Sequence, residues 1–383
     1  MINTEAWVLY EGTSRRPEAG ELKREAFSFP DLTEEEVLAE PIYGCWEANM
    51  THALERLPID VCRQRREEKV VLGNAGVVRI LRTGPAVTSV REGDLCGIAP
   101  IGQTDAHGHL LTVLGYDAPH SIGLLAKQVK LRENQVVRLP PDTKYSMPQW
   151  AAFSLRYATA WSNWKVAYGS YRLQVTQEQC PSPHVWGWGG GVVLAELGLA
   201  RLAGCRAAMI ASRDDRLQLI RERGIDAIDR RQFPDLDYDA ARYEADHAYK
   251  VRYLRSEKTF LGLVRERTGE SGVAIFIDNI GQPVFRATLR ALGREGVMTT
   301  VGWKHGMDLC LTRAVECINR HLHVHTHGAK YTEGVAAMHF GEQTGWMPPL
   351  DGKVYAWDDI PHLAHDYATG RTAYFPIYQV NPL

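Results

Sequence analysis

The sequence predicts an α/β protein: a doubly wound parallel-sheet domain inserted into a β-rich domain built from both ends of the chain. Three observations lead there. Residues 1–150 are short strand-like pieces broken by turns, a series of strand–helix–strand units follows, and residues beyond about 335 return to short irregular pieces closing on the strand YFPIYQV. The expected division is 1–150 plus 335–383 for the first domain and 151–334 for the inserted one, and 383 residues suffice for two full cores.

In the first domain, AWVLYE, VLAEPIYG, KVVLGNAGVVRIL, DLCGIAP and LLAKQVKL carry the alternation and β-branched residues of strands, with a helix expected near Ala53–Leu57. From Met147 to Ala167 the pattern becomes helical and aromatic. Tyr157, Trp161 and Trp164 recur there at spacings of three and four, which suits packing better than substrate stacking. Strands are then expected near 185, near 207, at Ala274–Asp278 and at Val297–Gly302. Residues 230–260, charged and rich in Tyr, read as a helical surface insertion.

Composition excludes several classes. A net charge of -2 offers no electrostatic basis for binding nucleic acid or a membrane surface. There is no run of 18 apolar residues to span a bilayer, and MINTEAWVLYEG lacks the basic start and apolar segment of a signal peptide. The seven cysteines are scattered, odd in number and without a CxxC pair, which fits reduced thiols in a cytoplasmic protein.

Chemistry concentrates in residues 185–212, VWGWGGGVVLAELGLARLAGCRAAMIAS. An apolar run meets Gly187, Gly189, Gly190 and Gly191, an amphipathic helix starts at about Gly191, and a second apolar run ends at Ser212-Arg213. Such a unit holds a dinucleotide: glycines let the backbone approach the pyrophosphate, and the helix start aims N–H groups and a positive dipole end at it. An NAD site places Asp or Glu at the end of the second strand, for the ribose hydroxyl. Here stand Ser212, Arg213 and Arg216, which suit a 2′-phosphate and therefore NADPH, the plain alternative being solvated loop charges. Where the fingerprint's third glycine is expected the chain has Val192 and Val193, so the helix is expected to sit slightly further out.

The layout resembles the medium-chain dehydrogenase/reductase superfamily. The resemblance rests on VVLGNAGVVRILRTGPAVTSVREGDLC, the glycine loop, FIDNIG at 276–281 and REGVMTTVG at 294–302. Within it the chain is similar to crotonyl-CoA carboxylase/reductases, through LRTGP at 81–85, GYD at 115–117, GIDAIDR at 224–230 and THGAKYTE at 326–333. The resemblance implies a GroES-like catalytic domain around a Rossmann cofactor domain, with Thr159, Asn279, Gly302 and Trp303 completing the cofactor set. It also implies a homodimer formed edge to edge by the cofactor sheets, with 297–302 or 321–326 as the edge.

Zinc-dependent members of that superfamily need three converging ligands. Cys45 stands near the first position, the Gly-His-Glu signature reads Gly73-Asn74-Ala75, and Ser154 or Leu155 stands at the third. A four-cysteine zinc lobe is absent from 97–115. A zinc-free enzyme is expected, with Cys45 as a pocket thiol. In HLHVHTH, His321, His323, His325 and His327 share one face if the strand is regular, but ligands two apart on a flat strand diverge, so no metal is expected there either.

The resemblance places His327 at the family's active-site histidine, where it donates a proton or holds an acyl carbonyl; a packed, hydrogen-bonded histidine is the alternative. Tyr116 and Asp117 match the family's aromatic–acidic pair, though Asp117 in GYDAP also suits a turn. Where that family holds carbon dioxide with Asn, this chain has Cys45, Trp46 and Glu47, with Asn49 beyond. A negative Glu47 repels a forming carboxylate, which disfavours carboxylation. Glu47 and His52 are alternatively acid/base groups or solvated loop residues, and Arg313 and Arg320 are candidates for a coenzyme A phosphate or plain surface charges.

The function expected is therefore NADPH-dependent, zinc-independent reduction of a C=C bond conjugated to a carbonyl, with an α,β-unsaturated acyl thioester of coenzyme A or a carrier protein as substrate. The alternatives are a reductive carboxylase of enoyl-CoA, a quinone or carbonyl reductase, and a catalytically inactive cofactor-binding protein.

Overall fold

The computed structural model describes residues 1–13, 18–302, 305, 318–350 and 352–383. They form two compact units, Met1–Ala158 with Lys330–Leu383, and Thr159–Ala329.

The first unit opens with β1 (Ile2–Tyr10), β2 (Lys23–Phe29) and β3 (Glu36–Cys45), followed by α1 (Ala48–Glu55) and α2 (Val61–Arg65). It continues with β4 (Lys69–Val71), β5 (Gly76–Thr83), β6 (Leu95–Ile98), β7 (Ile101–Thr104), β8 (Leu110–Val113), β9 (Val129–Arg132) and β10 (Val136–Arg138), then enters α3 (Met147–Arg172). The second unit runs β11 (His184–Trp188), α4 (Gly191–Leu202), β12 (Arg206–Ala211), α5 (Asp214–Glu222), β13 (Asp226–Asp229), α6 (Ala240–Ala245) and α7 (His247–Thr268). It ends with β14 (Val273–Asp278), α8 (Gln282–Ala291), β15 (Leu292–Thr300) and β16 (His323–Thr326). The chain returns to the first unit with α9 (Gly334–Thr344), α10 (Ile360–Ala368) and β17 (Ile377–Gln379).

Strand β3 organises the first unit. It pairs with β5 along one edge, and on the other with β9 at its start and β17 at its end, within the order β10-β6-β5-β3-β17. The chain's last strand is thereby pinned beside Cys45. The close fit needs Gly44, where a Cβ would lie 2.1 Å from the Tyr378 ring. Trp46, Val78, Leu124 and Tyr378 lie in the core beneath.

The second unit is a parallel sheet in the order β13-β12-β11-β14-β15-β16. That order reverses between β11 and β14, and the crevice at such a switch point is where doubly wound sheets bind ligands. β14 reads VAIFID because both faces are covered, and all its residues are buried.

Two expectations are corrected. Residues 230–260 are not a surface insertion: Phe233, Leu236, Tyr253 and Phe260 are fully buried, and Phe260 stacks on Trp188 with ring centroids 5.3 Å apart. Their charges flank an apolar stripe that covers the sheet. And 297–302 does not supply a sheet edge, because β15 lies between β14 and β16; among the described residues the end strands are β13 and β16, the latter within 321–326.

Candidate functional site

The glycine loop joins β11 to α4. Gly189 has φ +147°, a conformation that L side chains rarely adopt, and a Cβ there would lie 2.7 Å from Val193 Cγ2. A Cβ on Gly187 would lie 2.5 Å from Val193 Cγ1. Val193 is fully buried, so the small residues that let helix and strand approach are on the strand side, facing a valine on the helix. Gly190 is the N-cap and Gly191 the first helical residue, and the first bond of α4 runs from Leu194 N–H to the Gly190 carbonyl. The N–H groups of Gly191, Val192 and Val193 therefore lack intrahelical partners at the helix's positive end.

At the end of β12, Ser212 is exposed and Arg213 is the N-cap of α5. Arg213 Nε donates to Asp215 Oδ1 at 3.0 Å, and the guanidinium in turn holds the Asp215 carboxyl below its ordinary range. Arg216, half-buried, lies on the first turn of α5.

The ends of β14 and β15 meet the same loop. A Cβ on Gly189 would lie 3.2 Å from Asn279 Cβ, and Asn279 Oδ1 accepts from Val301 N–H at 3.0 Å. Gly302 follows, its N–H 3.4 Å from Thr300 Oγ1. Thr159 is buried at the start of the second unit. Trp303 and Arg313 lie outside the described residues. Arg320 donates to the Leu292 carbonyl at 3.0 Å, so at least one of its donors serves the fold.

His327 lies one residue past β16. Its backbone N–H donates to the Thr300 carbonyl at 2.9 Å, and its Nε2 is 2.7 Å from Ser162 Oγ on α3. The condition for a four-histidine face is not met: the strand covers only His323–Thr326, and His321 precedes it with φ 53°. His323 Nε2 bonds Gln174 Oε1 at 3.0 Å, and burial lowers the His325 pKa. Among the described residues no three His, Cys, Asp or Glu side chains cluster as metal ligands would.

In the first unit, Cys45, Glu47 and Asn49 lie where β3 passes into α1. Cys45 is fully buried, which pushes its thiol well above the ordinary range. Glu47 is not solvated. It is 5% exposed and its Oε2 accepts from Arg156 Nε at 2.8 Å. Arg156, on α3, also donates to the Trp46 carbonyl at 2.7 Å and to the Tyr374 carbonyl. Burial raises the Glu47 pKa and the guanidinium pulls it back only in part. The repulsion argued against carboxylation is therefore corrected, since Arg156 neutralises Glu47. Glu47 Oε1, Asn49 Oδ1 and both amide atoms of Asn74 are buried without a hydrogen-bond partner.

Of the residues expected at the other two zinc-ligand positions, Asn74 is fully buried, Ser154 Oγ accepts from Gly76 N–H at 2.9 Å and Leu155 is half-buried. Tyr116 is half-buried, its hydroxyl pushed up to about 12 mainly by burial. Asp117 Oδ1 accepts from Val113 N–H at 2.6 Å, the turn-forming use open to it in GYDAP. His52 lies on α1, its pKa lowered by burial.

Sequence reasoning missed Arg156, Ser162, Asn163 and Glu196. Two of them carried a signal: Arg156 is a lone charge in MPQWAAFSLRYATAW, and Glu196 a lone charge in GVVLAELGLA. A single ionisable residue in an apolar helix stays buried only with a partner.

No protein-family model and no curated protein matches the chain. Solved structures do. The 2-octenoyl-CoA carboxylase reductase CinF, solved with NADP and 2-octenoyl-CoA, superposes with a TM-score of 0.79 at 19% identity, over 98% of this chain and 87% of that one. The crotonyl-CoA carboxylase/reductase AntE, solved with NADP, gives 0.78 at 18% identity over 99% and 95%. The alcohol dehydrogenase of the archaeon Aeropyrum pernix gives 0.75 at 17% identity over 98% and 99%. The likeness is one of fold, shared with these carboxylase/reductases and with the alcohol dehydrogenase.

Proposed function

We propose that this protein is a cytoplasmic, NADPH-dependent reductase of an activated C=C bond, acting without zinc on an α,β-unsaturated acyl thioester of coenzyme A or a carrier protein. The observation that carries the reading is a dinucleotide-type loop in a chain where the resemblance puts Cys45, Asn74 and Ser154 or Leu155 at the three zinc-ligand positions, a set with one metal donor. Neighbours of the same fold solved with NADP, one of them also with 2-octenoyl-CoA, support it.

The residues fit the cofactor. Gly187 to Val192 line the pyrophosphate side, Ser212, Arg213 and Arg216 the 2′-phosphate, and Asn279 and Gly302 the strand ends toward the nicotinamide, with Thr159 and Trp303 assigned to the same end. When bound, the nicotinamide supplies a hydride to the substrate's β-carbon. His327 then holds the proton that reaches the α-carbon, and Ser162 fixes its ring through Nε2. Without a Lewis acid, the negative charge on the carbonyl oxygen is met by hydrogen-bond donors, and the reaction suits an enolate better than an alkoxide. The test is NADPH consumption with crotonyl and longer enoyl thioesters. Turnover of ketones or alcohols with none of any enoyl thioester overturns the reading.

A second reading is reductive carboxylation of the same thioester. The Glu47–Arg156 pair favours it, because a neutralised carboxylate no longer repels carbon dioxide. Bicarbonate dependence and a dicarboxylic product separate it from plain reduction. In either reaction the protein acts as a homodimer joined through the β16 edge.

A further inference from the structure

Three fully buried polar side chains in the second unit form one network. Asn163 Nδ2 on α3 donates to Glu196 Oε2 on α4 at 2.8 Å, and Thr299 Oγ1 on β15 donates to Asn163 Oδ1 at 2.7 Å. The residues next to them in sequence hold His327. Ser162, adjacent to Asn163, bonds the imidazole, and Thr300, adjacent to Thr299, accepts from the His327 backbone. Helix α3 and strand β15 are thus joined by two neighbouring rungs, one made by His327 and the other by Asn163. Glu196 ties the second rung to α4, the helix that begins at the glycine loop.

We propose that Glu196 is a positioning residue for His327: through Asn163 it clamps α3 to β15 and so sets the ring that Ser162 holds. The role of His327 rests on the function proposed above; the clamp does not. Glu196 Oε1 has no hydrogen-bond partner, so an ionised carboxylate is poorly compensated there. Burial raises the carboxyl to about 8, offset only by the Asn163 bond. Helix α4 packs on β11 and β12, whose titratable side chains His184 and Arg206 do not contribute to the shift, nor does any charged group of α3 or β15. Near neutral pH Glu196 is therefore mainly an un-ionised acid, and Gln is its conservative substitute.

The linkage has a definite sign. The folded-state pKa lies above the ordinary 4.5, so folding retains a proton that the unfolded chain loses. Stability from this group is full below pH 4.5 and declines until about pH 8.

The test uses the full chain as wild type, Glu196→Gln, Glu196→Leu and Thr299→Val, the last removing only one hydroxyl should the leucine variant not fold. Three readouts are taken: melting temperature against pH, the NMR titration of His327 (identified by its loss in His327→Gln), and turnover of crotonyl thioester. The clamp predicts that Glu196→Leu and Thr299→Val shift the His327 titration and lower turnover by roughly 10- to 100-fold, as misplacement of a reacting group does. Glu196→Gln keeps both near wild type, and its melting temperature gains on wild type as pH rises toward 8. Folded Glu196→Leu or Thr299→Val with a wild-type His327 titration overturns the clamp, and so does Glu196→Gln shifting that titration as far as Glu196→Leu. If wild type reduces no enoyl thioester, the proposed reaction fails while the titration still decides the clamp.

Discussion

Arg156 and Glu47 depend on each other. Their side chains are 5% and 6% exposed, and the guanidinium spans the Glu47 carboxylate and two backbone carbonyls. Arg156→Met leaves Glu47 as an uncompensated buried charge, and urea unfolding should show a loss of about 3–5 kcal/mol. Adding Glu47→Gln should restore most of that loss, because no charge is then stranded. His327 is predicted to behave differently. His327→Gln should lower enoyl thioester turnover by about 100-fold or more, the scale of a lost general acid, with NADPH affinity within a few-fold by fluorescence titration. Residue types at motif positions were legible in the sequence, as with Cys45, Ser212, Arg213 and His327. Partners were not. Glu47 and Arg156 are separated by 109 residues, and Ser162 and His327 by 165, so only the folded chain reveals that these pairs form. That is why Glu47 was weighed as a lone negative charge when it is half of a neutral pair.

At the scale of the element, the glycine loop carries a packing exchange. Val193 fills the space over Gly187 and Gly189 that a fingerprint glycine leaves on the helix side. Gly189→Ala meets both the φ of +147° and the Val193 methyl, and should cost about 1–3 kcal/mol and weaken NADPH binding. Val193→Ala combined with Gly189→Ala should cost less than the two single changes added, since the valine is the clash partner; a double-mutant cycle by chemical denaturation measures the difference. Strands and the aromatic helix were readable because their periodicity is local. The segment 230–260 reads as surface because its charges outnumber the few apolar positions, Phe233, Leu236, Tyr253 and Phe260, that decide where it packs. Of the two candidate edges, 297–302 and 321–326, only the second ends the sheet, and strand order of that kind depends on pairing between distant segments that periodicity does not reveal.

For the whole molecule, the order β13-β12-β11-β14-β15-β16 leaves β16 with a neighbour on one side only among the described residues. Sedimentation should find twice the chain mass of 43.0 kDa, and a proline at Val324 should shift the protein toward monomer by removing an edge donor. No helix among the described residues is long and apolar enough to cross a membrane. The proposed reaction is hydride reduction of a conjugated thioester without a bound cation. Its most direct test is NADPH consumption with crotonyl thioester by protein stripped with a strong chelator and shown to be metal-free. Turnover should be undiminished and the product's former C=C bond saturated. Turnover that disappears with the metal and returns on adding zinc contradicts it.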